Sequence, residues 1–391
     1  MCMDNDTLSK YAANNGKDNN THTEKTDILY CSSVEEAIAA ALPQGSTVKV
    51  IGYDCTDKLL RLGYRLTERD EDADAVIARG GEREFSCARK LGCPKTILVP
   101  THAFAAVGSD MFRAEDGKFA VMKTGCRVFA AVFDPSEAHS NLASIYGELV
   151  ALDLCAYDLT FGMYMRGEAI NTAPAAEIGA MIDSMTDKLK AAEKNRTRAA
   201  EILTEAGMQA AKTVEKYPTL LHCSGAAQMA EALRMLCSAE ERPLGMRGET
   251  EMLLSAFVAD YYIKSLGDGR AEFPPDNNKR IDSLCEYFRA DVRRACVHVS
   301  PIYPPIKMRL CEYRRSEFKC EQQRLLAAVK RRQTAAWPIF KRLYPDDGYG
   351  LKSLVDRADL GICLALAPDV FAADTMLSFL KQTGRLDRYI V

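Results

Sequence analysis

Gly80 and Gly81 stand where a short apolar run, Ala73 to Ala78, gives way to a helix-forming stretch, Glu84 to Leu91. Glycines at such a turn let backbone N–H groups approach an anion at a helix N-terminus, or they do no more than make the turn. Charges crowd them: Arg79 precedes the pair, and Glu82 and Arg83 follow it. A second chemical stretch follows the apolar run Lys95 to Val99. There Pro100-Thr101 leads to His102 and then Gly108-Ser109-Asp110. Thr101 and Ser109 offer hydroxyl donors to a ligand, or the stretch is a plain strand-end loop.

Metal chemistry with nitrogen and oxygen ligands calls for histidines beside carboxylates. The chain has only five histidines: His22, His102, His139, His222 and His298. His222, near a helix start, reads as a cap or core residue before it reads as a ligand. Glu249, Glu251 and Asp260 read as the solvated face of a helix. Fourteen cysteines are scattered singly with no C-x-x-C. That is a reduced, cytoplasmic pattern rather than a disulfide framework.

The bulk numbers exclude several classes. Fifty-one basic against 54 acidic side chains leave no basic excess for nucleic acid or an anionic membrane. No run of 18 apolar residues suggests a membrane span. At 391 residues the chain is long enough for two cores. Residues 1–26 are polar and Asn-rich and are expected to be a disordered tail.

The elements that must position these residues change character along the chain. From 27 to 139, strand and helix signals alternate. Strands are expected at Thr47 to Tyr53, Ala73 to Ala78, Lys95 to Val99 and Val128 to Phe133. Such alternation implies an α/β region with a Rossmann-like parallel sheet, covered on both faces. From 140 to 391 the strand signals vanish. Ala-, Leu- and Met-rich helices are expected at 140–166, 175–207, 219–238, 248–266, 278–297, 316–335, 351–365 and 370–382. Trp337 before Pro338 reads as a helix start anchored in the core. Basic residues such as Lys330-Arg331-Arg332 read as a solvated helix face, since Glu312, Glu317 and Glu321 are interspersed.

The segment Leu221 to Ala256 carries a specific resemblance. Ser224, Gly225, Ala227 and Met229, then Arg242-Pro243, then Glu251 and Ser255 are similar to a segment of the sn-glycerol-1-phosphate dehydrogenases. There a Ser-Gly-x-Ala-Met helix leads through Arg-Pro and a Gly turn to Glu-His-x-x-Ser-His. The turn is about three residues longer here, with Gly245 and Gly248 as candidates for its glycine. With Gly80-Gly81, Val99-Pro100-Thr101, Phe133-Asp134-Pro135 and the Gly147-to-Asp158 helix, the chain from roughly residue 45 to 390 resembles the dehydroquinate synthase and iron-containing alcohol dehydrogenase superfamily.

The resemblance implies an N-terminal nucleotide-binding domain, an all-helical C-terminal domain, and a site between them. It implies NAD(P), with Gly80, Gly81, Thr101 and Ser109 at the cofactor. It implies Zn or Fe held by a carboxylate and histidines. The carboxylate position falls on Glu148, with Asp153 as the competing register, and the others fall on Met252 and on Asn277, with Asp276 as its alternative. Met252 is a thioether, poorly matched to those metals, and the family's second histidine falls on Ala256. The resemblance also places Glu82 where a hydroxyl is expected beside the pyrophosphate. Two unit charges about 4 Å apart repel by ~4 kcal/mol at an effective dielectric of about 20, which Arg79 or Arg83 could offset.

Two functions follow as expectations. One is NAD(P)-dependent interconversion of a three-carbon ketone and alcohol, of the glycerol phosphate class, by a weakened site. The other is a catalytically degenerate homologue that binds a ligand or partner; a dehydroquinate synthase-like lyase stands behind both. Expected partners are a small-molecule substrate and, as an open alternative, a second copy of the chain.

Overall fold

A computed structural model describes residues 28–52, 55–93, 95–109, 111–113, 121–123, 128–166, 170–222, 224–239, 247–267, 312–344, 357–370 and 375–382. The N-terminal tail, Arg242-Pro243, Asn277 and the helix expected at 278–297 lie outside them.

Six strands form one parallel sheet in the order β1-β8-β5-β4-β2-β3. They are β1 (Leu29–Cys31), β2 (Thr47–Gly52), β3 (Arg65–Leu66), β4 (Ala75–Gly80), β5 (Thr96–Pro100) and β8 (Val128–Val132). A separate antiparallel pair, β6 (Met111–Arg113) and β7 (Val121–Lys123), sits between β5 and β8 in sequence. The central strands are apolar along their whole length because both faces of the sheet are covered. Their side chains alternate between two cores. Ile77, Ile97, Val99, Ala130 and Val132 join Val34, Ala37 and Ile38 of α1 (Val34–Ala41) and Leu59 of α2 (Thr56–Arg61). Val76, Ala78, Leu98 and Ala131 point to the other side, where α3 (Glu82–Leu91) contributes Phe85 and Ala88. The short β1 and β3, and the β6–β7 pair, have no equivalent in the sequence expectations. Two or three residues are too few to show a period.

After α4 (Pro135–Ala138) the described elements are helical: α5 (Leu142–Arg166), α6 (Ala173–Ala192), α7 (Arg196–Lys216), α8 (Gly225–Ala239), α9 (Arg247–Gly267), α10 (Glu312–Leu343), α11 (Arg357–Val370) and α12 (Met376–Gln382). The apolar core on the α3 side of the sheet runs without interruption into α5, α6, α7 and α10. A second helical core gathers α5, α8, α9, α10, α11 and α12. α5 belongs to both, so it is buried around nearly its whole circumference, as an apolar helix at the centre of a fold must be.

Two helix expectations need correcting. The stretch 175–207 is not one helix: α6 ends at Ala192 and α7 begins at Arg196. Glu193 takes a left-handed φ of 49°, and the Asn195 side chain accepts from the Arg198 N–H as the new N-cap. Conversely, Trp337 and Pro338 do not start a helix. α10 runs through them to Leu343. Ala336, Ile339, Phe340 and Leu343 are buried in the core, and that packing outweighs the ~3 kcal/mol a mid-helix proline costs.

Candidate functional site

The site is built where the C-terminal ends of β4 and β5 meet the first half of α5. Open parallel sheets place ligands at this edge. β4 ends at Gly80, and Gly81 is the N-cap of α3. β5 ends at Pro100, and the chain then makes a 3-10 turn, Phe104–Gly108. Ala103 precedes that turn with φ 56°, a left-handed residue without a glycine's freedom.

Thr101 and Ser109 are both buried. The Thr101 hydroxyl is engaged inside the chain: Oγ1 donates to the Gly80 carbonyl at 3.4 Å and lies 3.0 Å from His102 Nδ1. Ser109 closes the 3-10 turn, its N–H donating to the Ala106 carbonyl at 3.2 Å.

The N–H of Gly81 donates to Glu84 Oε2 at 2.9 Å. This is half of a capping box, in which the third residue of a helix reaches back to the N-cap amide. His102 closes the other side of the turn, against the Cα of Gly81. Burial holds the His102 imidazole toward its neutral form, with Glu84 opposing. Arg79, expected to offset charge on a phosphate, is instead clamped by Glu137 of α4 through contacts of 2.8 to 3.1 Å. A dinucleotide does not fit this turn as it stands. The Gly81 amide that would meet a pyrophosphate already donates to a carboxylate, and an imidazole covers the Cα of the same glycine.

α5 carries three carboxylates at five-residue spacing: Glu148, Asp153 and Asp158. Five residues turn a helix by about 140°, so each faces a different element. Glu148 faces the 3-10 turn, and the Ala105 N–H donates to its Oε1 at 3.2 Å. Burial and then the neighbouring Glu251 push its carboxyl up to about 8, against the pull of the amides of Ala105, Phe104 and Ala103. Asp153 faces α10, where Arg332 Nη1 reaches both its oxygens at 2.9 Å. Burial raises Asp153 to about 6, with Arg332 opposing. Asp158 is completely buried. It accepts from the N–H of Gly225 at 2.8 Å, the N–H of Met376 at 2.9 Å and the Tyr262 hydroxyl at 3.2 Å. Burial pushes Asp158 up to about 7, with those three donors pulling it down.

The α5–α9 crossing decides which residue of α9 meets Glu148. Gly147 and Gly248 lie at the crossing. A Cβ on Gly147 would run into the Gly248 carbonyl oxygen, and one on Gly248 into the Ser144 carbonyl oxygen. The helices therefore pack backbone to backbone. Met252 is fully buried beside Gly147 and belongs to the apolar core. Glu251, one residue earlier, turns with Glu148 into a small cavity of ≈ 20 Å3, about the space of one water molecule. Cys155, Leu221 and Ser224 are among its other walls. The Ser224 hydroxyl accepts from the N–H groups of Ala226 and Ala227 and so caps α8.

These placements correct two sequence readings. Glu249 and Glu251 are not a solvated face; both are buried, while the half-buried Asp260 pairs with Lys330 at 2.7 Å. Arg332 is not a solvated surface charge but the half-buried partner of the buried Asp153, and it also reaches Asp183 at 3.4 Å. Nothing in the spacing of an acidic helix tells a buried carboxylate from a solvated one. The signal that was available is Gly248 two turns from Ser255, marking a close helix approach.

The donors near Glu148 do not form a binding set for Zn or Fe. They are two carboxylates, one of them capping a backbone turn, and a thioether lodged in the core. Asn277 lies outside the described residues. Among the described residues no three His, Cys, Asp or Glu side chains gather in a way that could hold a metal ion.

Solved structures share this architecture over nearly the whole chain. Maleylacetate reductase from Agrobacterium tumefaciens is 13% identical, covers 92% of this chain and 95% of its own, and superposes with a TM-score of 0.53. An archaeal halo-thermophilic alcohol dehydrogenase from a Red Sea brine pool is 10% identical over 94% and 97%, with a TM-score of 0.52. NADH-dependent butanol dehydrogenase A from Thermotoga maritima is 12% identical over 93% and 95%, with a TM-score of 0.50. The fold is that of the iron-containing alcohol dehydrogenases. No family model and no curated protein matches the sequence itself. Among the described residues no helix is long and apolar enough to cross a membrane.

Proposed function

We propose that this chain is a divergent cytoplasmic member of the iron-containing alcohol dehydrogenase superfamily that has given up metal-assisted hydride transfer and acts as a ligand- or partner-binding protein. Its two domains in this reading are 27–139 and 140–391. One observation carries the proposal: Glu148, the carboxylate at the family's ligand position, caps the 103–105 backbone turn, its Oε1 accepting from the Ala105 N–H at 3.2 Å. A metal-binding carboxylate has to be free to face the ion. The thioether at Met252 in place of an imidazole supports the same reading.

The shared fold favours a second reading: an active NAD(P)-dependent oxidoreductase acting on a three-carbon ketone of the glycerol phosphate class. In that case Glu148, Met252 and Asn277 would surround the metal, and Gly80, Gly81, Thr101 and Ser109 the cofactor. What supports this reading is likeness of architecture at 10–13% identity.

Turnover separates the two. Purified protein loaded with Zn2+ or Fe2+ is expected to retain no stoichiometric metal after dialysis, and to oxidise no NADH or NADPH with dihydroxyacetone phosphate or dihydroxyacetone. Loss of the metal removes several kcal/mol of charge stabilisation in the transition state, tenfold in rate for each ~1.4 kcal/mol. Retained metal together with metal-dependent turnover establishes the second reading and ends the first.

A further inference from the structure

We infer that the chain plugs its own dinucleotide site: the Glu84 carboxylate and the His102 imidazole occupy the glycine cradle at the edge of the sheet and keep a pyrophosphate out. The inference deepens the proposed function and rests on it.

Three glycines make the cradle, Gly52 at the end of β2, Gly80 at the end of β4, and Gly81. Glycines at this edge would ordinarily be explained by a ligand that needs the space. Here the chain's own side chains need it. A Cβ on Gly80 would sit 2.6 Å from Glu84 Oε2; one on Gly52 would run first into the Arg79 carbonyl oxygen and then sit 2.6 Å from Glu84 Cγ. A Cβ on Gly81 would run into His102 Nε2. Gly52 and Gly80 also take φ of 90° and 154°, where only glycine is at ease. The cradle is therefore shaped around Glu84 and His102.

The plug works by chemistry as well as by volume. An amide has one hydrogen, and that of Gly81 is given to Glu84. A phosphate at the α3 N-terminus would lose that donor and meet a carboxylate of its own sign. His102 is fixed from behind by Thr101 Oγ1 at 3.0 Å from its Nδ1, and Thr101 is itself tied to Gly80 by an N–H···O bond of 2.9 Å. The imidazole cannot swing away without breaking that chain of contacts. Fixed dipoles that would serve a dinucleotide in other chains of this fold serve the protein's own glutamate here.

The test uses the full-length protein, with ADP and NADH as probes in calorimetric titrations. Wild type is expected to show no saturable binding of either up to about 1 mM. The double variant Glu84→Ser/His102→Ala, which empties the cradle and leaves only a short hydroxyl at the third position of α3, is expected to bind both at least ~10-fold more tightly. Saturable binding to wild type below that limit overturns the plug. So does a folded double variant that binds no better than wild type. Should the double variant not fold, melting midpoints decide. Gly81→Ala is expected to lower the midpoint in wild type, and to lower it by less than half as much in a His102→Gly background. An equal loss in both backgrounds overturns the plug. Wild-type protein that binds NADH without turning over a ketone sinks this inference alone, whereas metal-dependent turnover sinks the proposed function.

Discussion

Glu148 shows how burial changes what a carboxyl can do. Its folded value of about 8 lies above its ordinary 4.5. Between those two values the folded chain keeps a proton that the unfolded chain releases. The contribution is therefore fully present below about 4.5 and is lost as pH rises through 8. Asp158, at about 7, and Asp153, at about 6, act in the same direction. The protein is expected to melt at a lower temperature at pH 9 than at pH 5. Glu148→Gln keeps an oxygen for the Ala105 amide and removes the charge. It is expected to be more stable than wild type at pH 9, by an amount on the order of a few kcal/mol, with the difference shrinking toward pH 5. Thermal melts across this range check it; a variant whose melting curve parallels that of wild type would show that Glu148 ionises normally.

At the scale of elements, the crossing of α5 and α9 fixes the cavity. Gly147 and Gly248 let two backbones touch, and that contact sets the rotation that brings Glu251 to Glu148 and buries Met252. Gly248→Ala is expected to destabilise the fold by ~1–3 kcal/mol, the usual effect of forcing a methyl group into a filled core. Ser255→Ala serves as a control further along α9, since its hydroxyl only bonds back to the Met252 carbonyl at 3.0 Å and is expected to cost ~1 kcal/mol or less. Chemical denaturation of both variants measures this, and equal stabilities would mean that the helices are not in backbone contact.

For the whole molecule, the carboxylates on α5 act as pins between separate parts of the helical region. Asp158 holds the N-termini of α8 and α12 together with Tyr262 of α9. Asp153 holds Arg332 of α10, which also reaches Asp183 of α6. Breaking a buried pair leaves one charge uncompensated. Arg332→Met is expected to cost ~3–5 kcal/mol at pH 8. The cost should shrink below pH 6, where Asp153 takes up a proton. A loss that does not vary with pH would assign the effect to packing alone.

The sequence by itself determined the fold class. β-branched runs such as Thr47 to Tyr53 and Val128 to Phe133 alternate with helical stretches, and beyond Asp134-Pro135 only helical patterns remain. Period and composition are local properties, and they survive in a chain at 10–13% identity to its structural relatives. Gly80, Gly81 and Glu148 could be singled out for the same reason, as residue types at recognisable places along the chain. Their partners could not. That Glu84 rather than Glu82 turns back onto Gly81, that His102 covers it, that Glu251 rather than Met252 faces the cavity with Glu148, and that Arg332 reaches Asp153 are matters of helix rotation and long-range approach. One residue turns a helix by about 100°. A side chain's role therefore changes from core to cavity with a shift of one position, and only the packing of α5 against α9, α10 and the 3-10 turn sets that rotation.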